Sequence, residues 1–142
     1  MLNFNSEPRS DRVIVAFDCD KKRAFELADM LSGHAKWVKV GMTLFYQEGP
    51  AIVKELKDRG FNVFLDLKFH DIPHQVEGAA RSAISAGADM VTMHAIGGVE
   101  MMKAAKKGVD DAAQGNNPIT LAVTVLTSMN KETLNATGVS GE

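Results

Sequence analysis

The sequence predicts an α/β protein built on a parallel β-sheet, because two kinds of residue pattern alternate along it at regular intervals. Short apolar runs rich in β-branched residues are each followed by a longer stretch with helical periodicity. The runs start about every 24 to 30 residues, the length of one βα unit, and are apolar on both faces, as parallel strands covered by helices are. The predicted strands are residues 13–17, 37–40, 61–67, 90–93 and 119–126, and the predicted helices are residues 21–31, 43–59, 74–86 and 99–113.

Each predicted element is supported by its own residues and by the glycine or proline residues at its ends. The strands read VIVAF, WVKV, FNVFLDL, MVTM and ITLAVTVL in chain order. In the second predicted helix, Leu44, Phe45, Ile52 and Leu56 are spaced so that they share one helix face. Glycine or proline marks the joins between elements. These residues are Gly33, Gly41, Gly60, Pro73, Gly87, Gly97, Gly98 and Pro118.

Composition and charge exclude several classes of protein. The 142 residues are 45% hydrophobic and 24% charged, which is enough apolar content for a folded core and excludes intrinsic disorder. A net charge of -2 and a pI of about 6.1 give no general attraction to nucleic acid or to an anionic membrane. The single cysteine, Cys19, has no partner for an intramolecular disulfide, and no apolar run approaches the roughly 18 residues of a membrane span. The opening residues lack the pattern of a signal peptide, so we expect a reducing cytoplasm.

Polar side chains stand at the carboxyl ends of four consecutive predicted strands. Because strand side chains alternate between faces, Asp18, Lys39, Asp66 and His94 each end a face that is otherwise apolar or neutral. A doubly wound sheet concentrates its ligand groups at one switch point, whereas a (β/α)8 TIM barrel draws them from the ends of many strands. The phosphate-binding patterns GxGxxG and GxxxxGK[ST] are both absent from the sequence. The barrel is therefore the predicted fold.

The highest density of ionisable residues lies in the segment DLKFHDIP, residues 66–73. Asp66 and Lys68 are two apart on a strand and point to the same face, Lys39 is expected beside them, and Asp71 follows on the loop. Opposite charges stabilise one another's ionised forms, so this alternating array is expected to stay charged when partly desolvated. The competing interpretation is a solvated surface patch, in which each exposed pair contributes roughly 0 to 1 kcal/mol. The apolar flank FNVFL disfavours an exposed strand.

The histidines raise the question of a metal site. His70 and His74 are four apart, the spacing of two ligands on one helix face. Asp66, Asp71 and His94 are available to complete such a site. Pro73 argues against it, because the residue before a proline is pushed out of helical geometry. Residues 71–73 instead predict a helix start with proline near its first position, so no metal site is predicted. His94 is a candidate for hydrogen bonding at the barrel mouth, or else a packed imidazole.

Nucleophilic catalysis has no support in the sequence. Asp18 precedes Cys19 directly, and a neighbouring carboxylate raises a thiol pKa, so we expect an unreactive cysteine. Ser128 lacks a GxSxG setting. Thr127 and Ser128 follow the fifth predicted strand, where ligand contact competes with an ordinary loop role.

With these residues identified, the sequence resembles the orotidine 5'-phosphate decarboxylase family. The match covers nearly the whole chain and ends at about Gly141: VIVAFD, VKVG, FLDLKFHDIP, MHAIGG and AVTVLTS occur in order on successive strands. FLDLKFHDIP is the most specific of these motifs. The resemblance implies a (β/α)8 barrel that forms a homodimer and converts orotidine 5'-phosphate to UMP and CO2 in pyrimidine biosynthesis, without a metal or organic cofactor.

The resemblance also implies roles for individual residues. Asp18 and Lys39 would bind the ribosyl hydroxyls, and Asp66 would sit against the substrate carboxylate. Lys68 would donate the proton to C6 of the pyrimidine. The remaining implied contacts are Asp71 and Ile72, reaching into the partner's site, Thr127 and Ser128 near ribose and base, and His94 in an orienting role.

Two departures from the family pattern stand out. His74-Gln75 replaces a common Asn-Thr pair, and the glutamine of the lid loop and the glycine-arginine phosphate clamp, which the family carries on later strands, are absent from these residues. A barrel typically needs about 250 residues. We therefore expect residues 1–142 to be one incomplete barrel domain, with about the first five strands and four helices, and to have little activity alone.

Two other functions remain open on the sequence. One is a magnesium enzyme like 3-keto-L-gulonate 6-phosphate decarboxylase, which shares the Asp-x-Lys-x-x-Asp spacing. That relative carries a metal-binding glutamate where this chain has Lys39, whose charge repels magnesium. The other is a catalytically silent fragment that only associates with another chain.

Overall fold

The computed structural model describes residues 8–139, and within them strands and helices alternate as predicted. The Gly141 boundary and the opening residues, on which two sequence expectations depend, lie outside this range. The strands are β1 (Ile14–Phe17), β2 (Trp37–Gly41), β3 (Asn62–Phe69), β4 (Met90–His94) and β5 (Ile119–Val123). The helices are α1 (Lys21–Leu31), α2 (Met42–Glu48), α3 (Ala51–Asp58), α4 (Pro73–Ser85), α5 (Gly98–Ala112) and α6 (Lys131–Ala136), and short 3-10 turns cover Arg9–Arg12 and Ala95–Gly97.

The five strands form one sheet in the order β1-β2-β3-β4-β5, and each neighbouring pair is parallel. A right-handed crossover through a helix is the usual way to join such strands, and one or two of α1 to α5 lie between each pair of strands. Sequential order with no switch point is the arrangement of consecutive strands in a (β/α)8 barrel. The predicted α/β class and parallel sheet are confirmed, and the order of strands agrees with the barrel.

The two faces of the sheet have different surroundings. Val38, Val40, Val63, Leu65 and Val91 face the helices and are fully buried in the main hydrophobic core. The opposite face carries the side chains that the barrel prediction directs inward, and its apolar members at the two edges, Ile14 and Leu121, are exposed. Trp37, Met90 and Thr92 on this face are nevertheless each 3% exposed, so β2 and β4 are buried on both faces, as the sequence predicts, and the exposed apolar side chains lie at the two edges of the sheet.

The predicted second helix, residues 43–59, is two helices in the structure. Gly49 ends α2 with a φ of 68°, a left-handed conformation that glycine adopts without steric cost, and its N–H donates to the Phe45 carbonyl at 2.7 Å. Pro50 follows as the N-cap of α3 and has no N–H with which to continue the helical hydrogen bonding. The apolar periodicity continues through both helices, and the Gly49-Pro50 pair divides the single helix that the sequence predicts.

Two further boundaries differ from the sequence prediction. β5 ends at Val123 rather than at residue 126. Val123 pairs with His94, the last residue of β4, and the apolar run AVTVL continues beyond this last pair. The unpredicted helix α6 begins with a capping box, in which the Asn130 side chain accepts from the Thr133 N–H and the Thr133 hydroxyl accepts from the Asn130 N–H, both at 2.9 Å. No helix in residues 8–139 is both long and apolar enough to cross a bilayer.

Candidate functional site

Four charged side chains meet at the carboxyl edge of β1, β2 and β3, and we call them the charge cluster: Asp18, Lys39, Asp66 and Lys68. Asp18 immediately follows β1, Lys39 lies in β2, and Asp66 and Lys68 lie near the end of β3. The parallel register places Asp66 beside Gly41, the last residue of β2. The expectation that Lys39 stands beside Asp66 and Lys68 is confirmed.

The charges of the cluster alternate in sign along a continuous path. Lys39 Nζ lies 3.0 Å from Asp18 Oδ1 and 3.8 Å from Asp66 Oδ2, and Lys68 Nζ lies 2.9 Å from the same Asp66 oxygen. Asp66 is therefore held between two ammonium groups. Its side chain is 13% exposed, whereas that of Asp18, at the outer end of the path, is 68% exposed. The inner pairs are consequently shielded from water far more than a solvated surface patch would be.

Gly41 makes room for this arrangement. A Cβ at Gly41 would lie 3.1 Å from Asp18 Oδ1 and 3.4 Å from Lys39 Nζ, so a side chain there would crowd both charged groups. The glycine of the VKVG motif thus leaves space for Lys39 to reach between the two carboxylates.

The electrostatics of Asp66 follow from two opposing effects. Burial raises the pKa of the carboxyl group, but hydrogen bonds from Lys68 and Thr92, together with the charges of Lys68 and Lys39, lower it below its ordinary value of 3.8. Asp66 is therefore a carboxylate at neutral pH. A partly buried fixed anion held between two cations can orient an ammonium group and can repel a second carboxylate placed beside it.

The cluster opens onto a cavity of about 300 Å³, at the lower end of the size range of ligand pockets. The cavity is bordered by all four cluster members and by the start of α2. A larger cavity lies at the opposite edge of the sheet, but the charged pair that lines it, Lys57 and Asp89, has a structural role. There Asp89 accepts hydrogen bonds from Lys57 Nζ and from the Val63 N–H, each at 2.7 Å. The carboxyl edge is the better candidate for chemistry.

Asp71 and Ile72 lie apart from the charge cluster within one chain. Asp71 is exposed on the bend between β3 and α4, and in the part of the chain that the structure describes it forms no ion pair within 4.0 Å. Ile72 is the N-cap of α4 and is 63% exposed. Both residues border a cavity distinct from the one that all four cluster members line, and Asp71 also borders another cavity together with Lys68. The alternating array expected from the sequence therefore contains Asp18 in place of Asp71.

The histidines do not assemble a metal site. No group of three or more metal-ligating side chains occurs among residues 8–139. Helix α4 begins at Pro73, so His70 and His74 belong to a turn and to a helix start, as Pro73 predicts. His70 instead packs against His94, with ring centroids 5.4 Å apart. Burial, and then the charges of His70 and Lys68, lower the pKa of His94 below 6.5.

Cys19, Thr127 and Ser128 complete the survey of predicted residues. Burial and then Asp20 raise the pKa of the Cys19 thiol, with a further contribution from Asp18, which agrees in direction with the expected lack of reactivity. Thr127 and Ser128 are exposed in a turn beyond the end of β5. Among residues 8–139, neither of them borders the cavity at the charge cluster.

One residue at the site was missed by sequence reasoning. Thr92 in β4 is 3% exposed, and its hydroxyl donates to Asp66 Oδ1 at 2.8 Å. The signal that identifies it is positional: Thr92 faces the same side of the sheet as Asp66 and Lys68 on the adjacent strand. A lone threonine inside an apolar run carries no motif, so pairing with Asp66 becomes visible only once the register is known.

Comparison with known proteins identifies a single family. Residues 11–141 match the family model described as the orotidine 5'-phosphate decarboxylase / HUMPS family. Among curated proteins, the orotidine 5'-phosphate decarboxylase of Maridesulfovibrio salexigens is 49% identical over 122 residues, which are 84% of this chain and 53% of the relative. The enzyme of the same name from Carboxydothermus hydrogenoformans is 48% identical over 132 residues, 91% of this chain and 55% of the relative.

Solved structures agree with the sequence comparison. The crystal structure of orotidine 5'-phosphate decarboxylase from Lactobacillus acidophilus superposes with a TM-score of 0.81 at 37% identity, over 89% of this chain and 58% of that one. The chain spans about half the length of the curated relatives it matches.

Proposed function

The chain belongs to the orotidine 5'-phosphate decarboxylase / HUMPS family, and from that premise we propose that its charge cluster serves the decarboxylation of orotidine 5'-phosphate to UMP and CO2 in pyrimidine biosynthesis. The observation that carries the proposal is the path Asp18, Lys39, Asp66, Lys68 at the mouth of the sheet, with an ammonium on each side of the partly buried Asp66. The relatives described above carry the name of this enzyme.

The reaction makes a specific demand on the protein. When the bond between C6 and the carboxylate breaks, the electron pair stays on C6, where an sp2 carbon has little resonance to spread it. A catalyst must therefore stabilise developing negative charge and deliver one proton to that carbon. A fixed cation that also carries a transferable proton meets both requirements.

Lys68 is the group that we assign to this role. Its ammonium lies 2.9 Å from Asp66 Oδ2, so the carboxylate holds it in one place before the substrate arrives. In the proposed reaction Lys68 transfers a proton to C6 as CO2 leaves, and solvent then reprotonates the neutral amine. Preorganised charge of this kind is worth more in a shielded site than in water.

We assign the other cluster members to substrate binding and electrostatics. Asp66 would lie beside the substrate carboxylate, where its negative charge favours departure of CO2. Asp18 and Lys39 would bind the ribosyl hydroxyls, and Lys39 would also link the two carboxylates, as its distances of 3.0 Å and 3.8 Å permit. His94 would orient groups at the mouth, and Thr127 and Ser128 would contact ribose and base.

No organic cofactor or metal is included in this proposal. The position of Lys39 supports that choice, because its ammonium already occupies the space between Asp18 and Asp66 and would repel a divalent cation. We also propose that residues 1–142 belong to one barrel domain and that the enzyme works in the cytoplasm, where Cys19 stays reduced.

A homodimer with shared sites is part of the proposal. Asp71 is exposed and forms no ion pair among the described residues, and its Oδ1 accepts a hydrogen bond from the Ile72 N–H at 2.6 Å. Ile72 is a large exposed apolar side chain. We propose that both reach into the partner's site. Lys68→Ala and Asp71→Ala variants of a complete enzyme, made by joining residues 11–141 to the remaining residues of a relative, should each be inactive alone and should regain partial activity when mixed and allowed to exchange subunits. Complete absence of rescue, with exchange demonstrated by mass spectrometry, would contradict shared sites.

The function is tested most sharply in a chimera. Residues 11–141 would replace the matching region of the Carboxydothermus hydrogenoformans relative, which supplies the remainder of its own chain. Loss of orotidine 5'-phosphate absorbance is expected in buffer with EDTA and without it. The same chimera is expected to leave 3-keto-L-gulonate 6-phosphate unchanged.

Two outcomes would contradict the proposal. Activity that disappears with EDTA and returns with magnesium would overturn the metal-free assignment. A well-folded chimera that is inactive, while the unaltered relative is active in the same assay, would show that these residues do not carry the function and would favour a silent association module.

A further inference from the structure

Strands β3 and β4 lose their regular pairing at the charge cluster. Leu65 pairs with Val91, and the next paired residues are Phe69 and Met93. Three residues of β3, numbers 66–68, therefore lie opposite one residue of β4, Thr92. This is a β-bulge with two extra residues, and bulges are over-represented next to active sites, where they redirect side chains.

The bulge contains a residue in an uncommon backbone conformation. Lys68 has a φ of 53°, in the left-handed region that few residues other than glycine adopt. Such a conformation persists only where surrounding contacts hold it. The contact that the structure provides is a hydrogen bond at 3.0 Å from the Lys68 N–H to the hydroxyl oxygen of Thr92.

The same hydroxyl makes a second bond in the opposite sense. Thr92 Oγ1 donates to Asp66 Oδ1 at 2.8 Å, while the other Asp66 oxygen accepts from Lys68 Nζ at 2.9 Å. Thr92 is 3% exposed and is the one buried polar residue among the described side chains. A single hydroxyl thus replaces the missing ladder contacts and connects the backbone of Lys68 to the carboxylate of Asp66.

We infer that Thr92 is a positioning residue of this site, whose hydroxyl fixes the Lys68 ammonium and the Asp66 carboxylate relative to each other. It acts through these two residues. The effect of Thr92 on catalysis rests on the proposed function. The effect of Thr92 on the relative positions of Lys68 and Asp66 does not depend on that function.

The first experiment measures geometry without any reaction. In the 142-residue chain, the pKa of Asp66 is followed by carbon-13 NMR of its carboxyl group in wild type, Thr92→Val and Thr92→Ser. Valine is nearly isosteric but has no hydroxyl, so loss of the donated bond should raise the pKa of Asp66. Serine keeps the hydroxyl and should leave the pKa near the wild-type value. Thr120→Val in β5 makes the same chemical change away from the cluster and should have no effect.

The second experiment measures catalysis in the chimera. Thr92→Val should lower kcat roughly 10- to 100-fold with a change in KM of less than about threefold, because misplacing a catalytic group affects the transition state more than binding. Thr92→Ser should stay within about threefold of wild type. A general loss of structure would instead affect both constants and would not be rescued by serine.

The outcomes separate this inference from the proposed function. An unchanged Asp66 pKa in folded Thr92→Val, or a kcat loss in Thr92→Ser equal to that in Thr92→Val, would overturn the positioning role. If Thr92→Val does not fold, a tenfold kcat loss in Thr92→Ser would overturn it. An inactive wild-type chimera would refute the proposed function, and the NMR result would still decide the role of Thr92.

Discussion

Single residues at the site are specialised by what surrounds them. Asp66 is partly buried, which alone would favour its neutral form, yet two lysines and a threonine hydroxyl keep it ionised. Its lowered pKa means that it contributes stability above its unfolded value of 3.8, and that this contribution is lost as the pH falls through the lower folded value. Asp66 is therefore ionised throughout the neutral range.

Lys68→Ala is the residue change with the largest expected effect on activity. In the chimera it should reduce turnover to background, because the proton donor and the stabilising cation are lost together. Binding of UMP should remain measurable by calorimetry, since the other contacts are untouched. Lys103→Ala, an exposed lysine on α5, is the matched control and should have wild-type activity. Turnover near the wild-type level in Lys68→Ala would rule out the proton-donor role.

His94 should make stability depend on pH in the mildly acidic range. Its folded pKa lies below 6.5, so the unfolded chain binds a proton more readily than the folded chain. Its contribution is then constant above about pH 6.5 and falls as the pH drops toward the folded pKa. Urea unfolding of wild type and His94→Gln, roughly between pH 7.5 and pH 5, should show a smaller loss of stability in the variant. Equal losses in the two proteins would contradict this account.

At the scale of elements, helices α4 and α5 pack unusually closely. A Cβ at Gly108 in α5 would lie 2.2 Å from the Glu77 carbonyl oxygen in α4, so only glycine fits. Around this contact Arg81 and Lys107 each pair with both Glu77 and Asp111, at 2.6 to 3.1 Å. These ion pairs are largely exposed and add little by themselves. The close backbone contact is the stronger determinant of helix position.

Gly108→Ala and Gly78→Ala form a matched pair that tests this packing. Gly108→Ala should destabilise the chain by roughly 1 to 3 kcal/mol, because the helices must separate to admit a methyl group. Gly78 lies in α4 with nothing within 4 Å of its Cβ position, so Gly78→Ala should stabilise by roughly 0.5 to 1 kcal/mol through helix propensity. Both values are measured by urea unfolding. A stabilising Gly108→Ala would show that the helices are not in close contact.

Some features of the strands and helices can be predicted from sequence patterns, and others cannot. Helix α1 was predicted over its full range, because its apolar periodicity and flanking signals agree. The approach of Lys39 to Asp66 was predicted too, since parallel strands bring their carboxyl ends to one edge. The bulge in β3 was not, because it depends on register against β4 and on the left-handed conformation of Lys68, which no local residue pattern encodes. Thr92 was missed for the same reason.

At the scale of the whole molecule, the described strands expose a face that carries the chemistry. The helix-facing valines of β2, β3 and β4 are fully buried, while Ile14 and Leu121, on the other face at the two edges of the sheet, are exposed. The chain spans about half the length of the curated relatives it matches. A barrel surrounding this face would shield the inner charges further and would strengthen their interactions. For this reason the activity measurements above use a chimera with a relative's remaining residues.

The central claim is that the charge cluster replaces a carboxylate on C6 by a proton without metal assistance. The most direct measurement is product analysis of the chimera in D2O with EDTA, using orotidine 5'-phosphate labelled with carbon-13 in its carboxyl group. The account predicts one labelled CO2 for each UMP formed, with a single deuterium at C6, and no product in Lys68→Ala. Recovery of unchanged substrate from the folded chimera, or formation of UMP at an equal rate in Lys68→Ala, would contradict it.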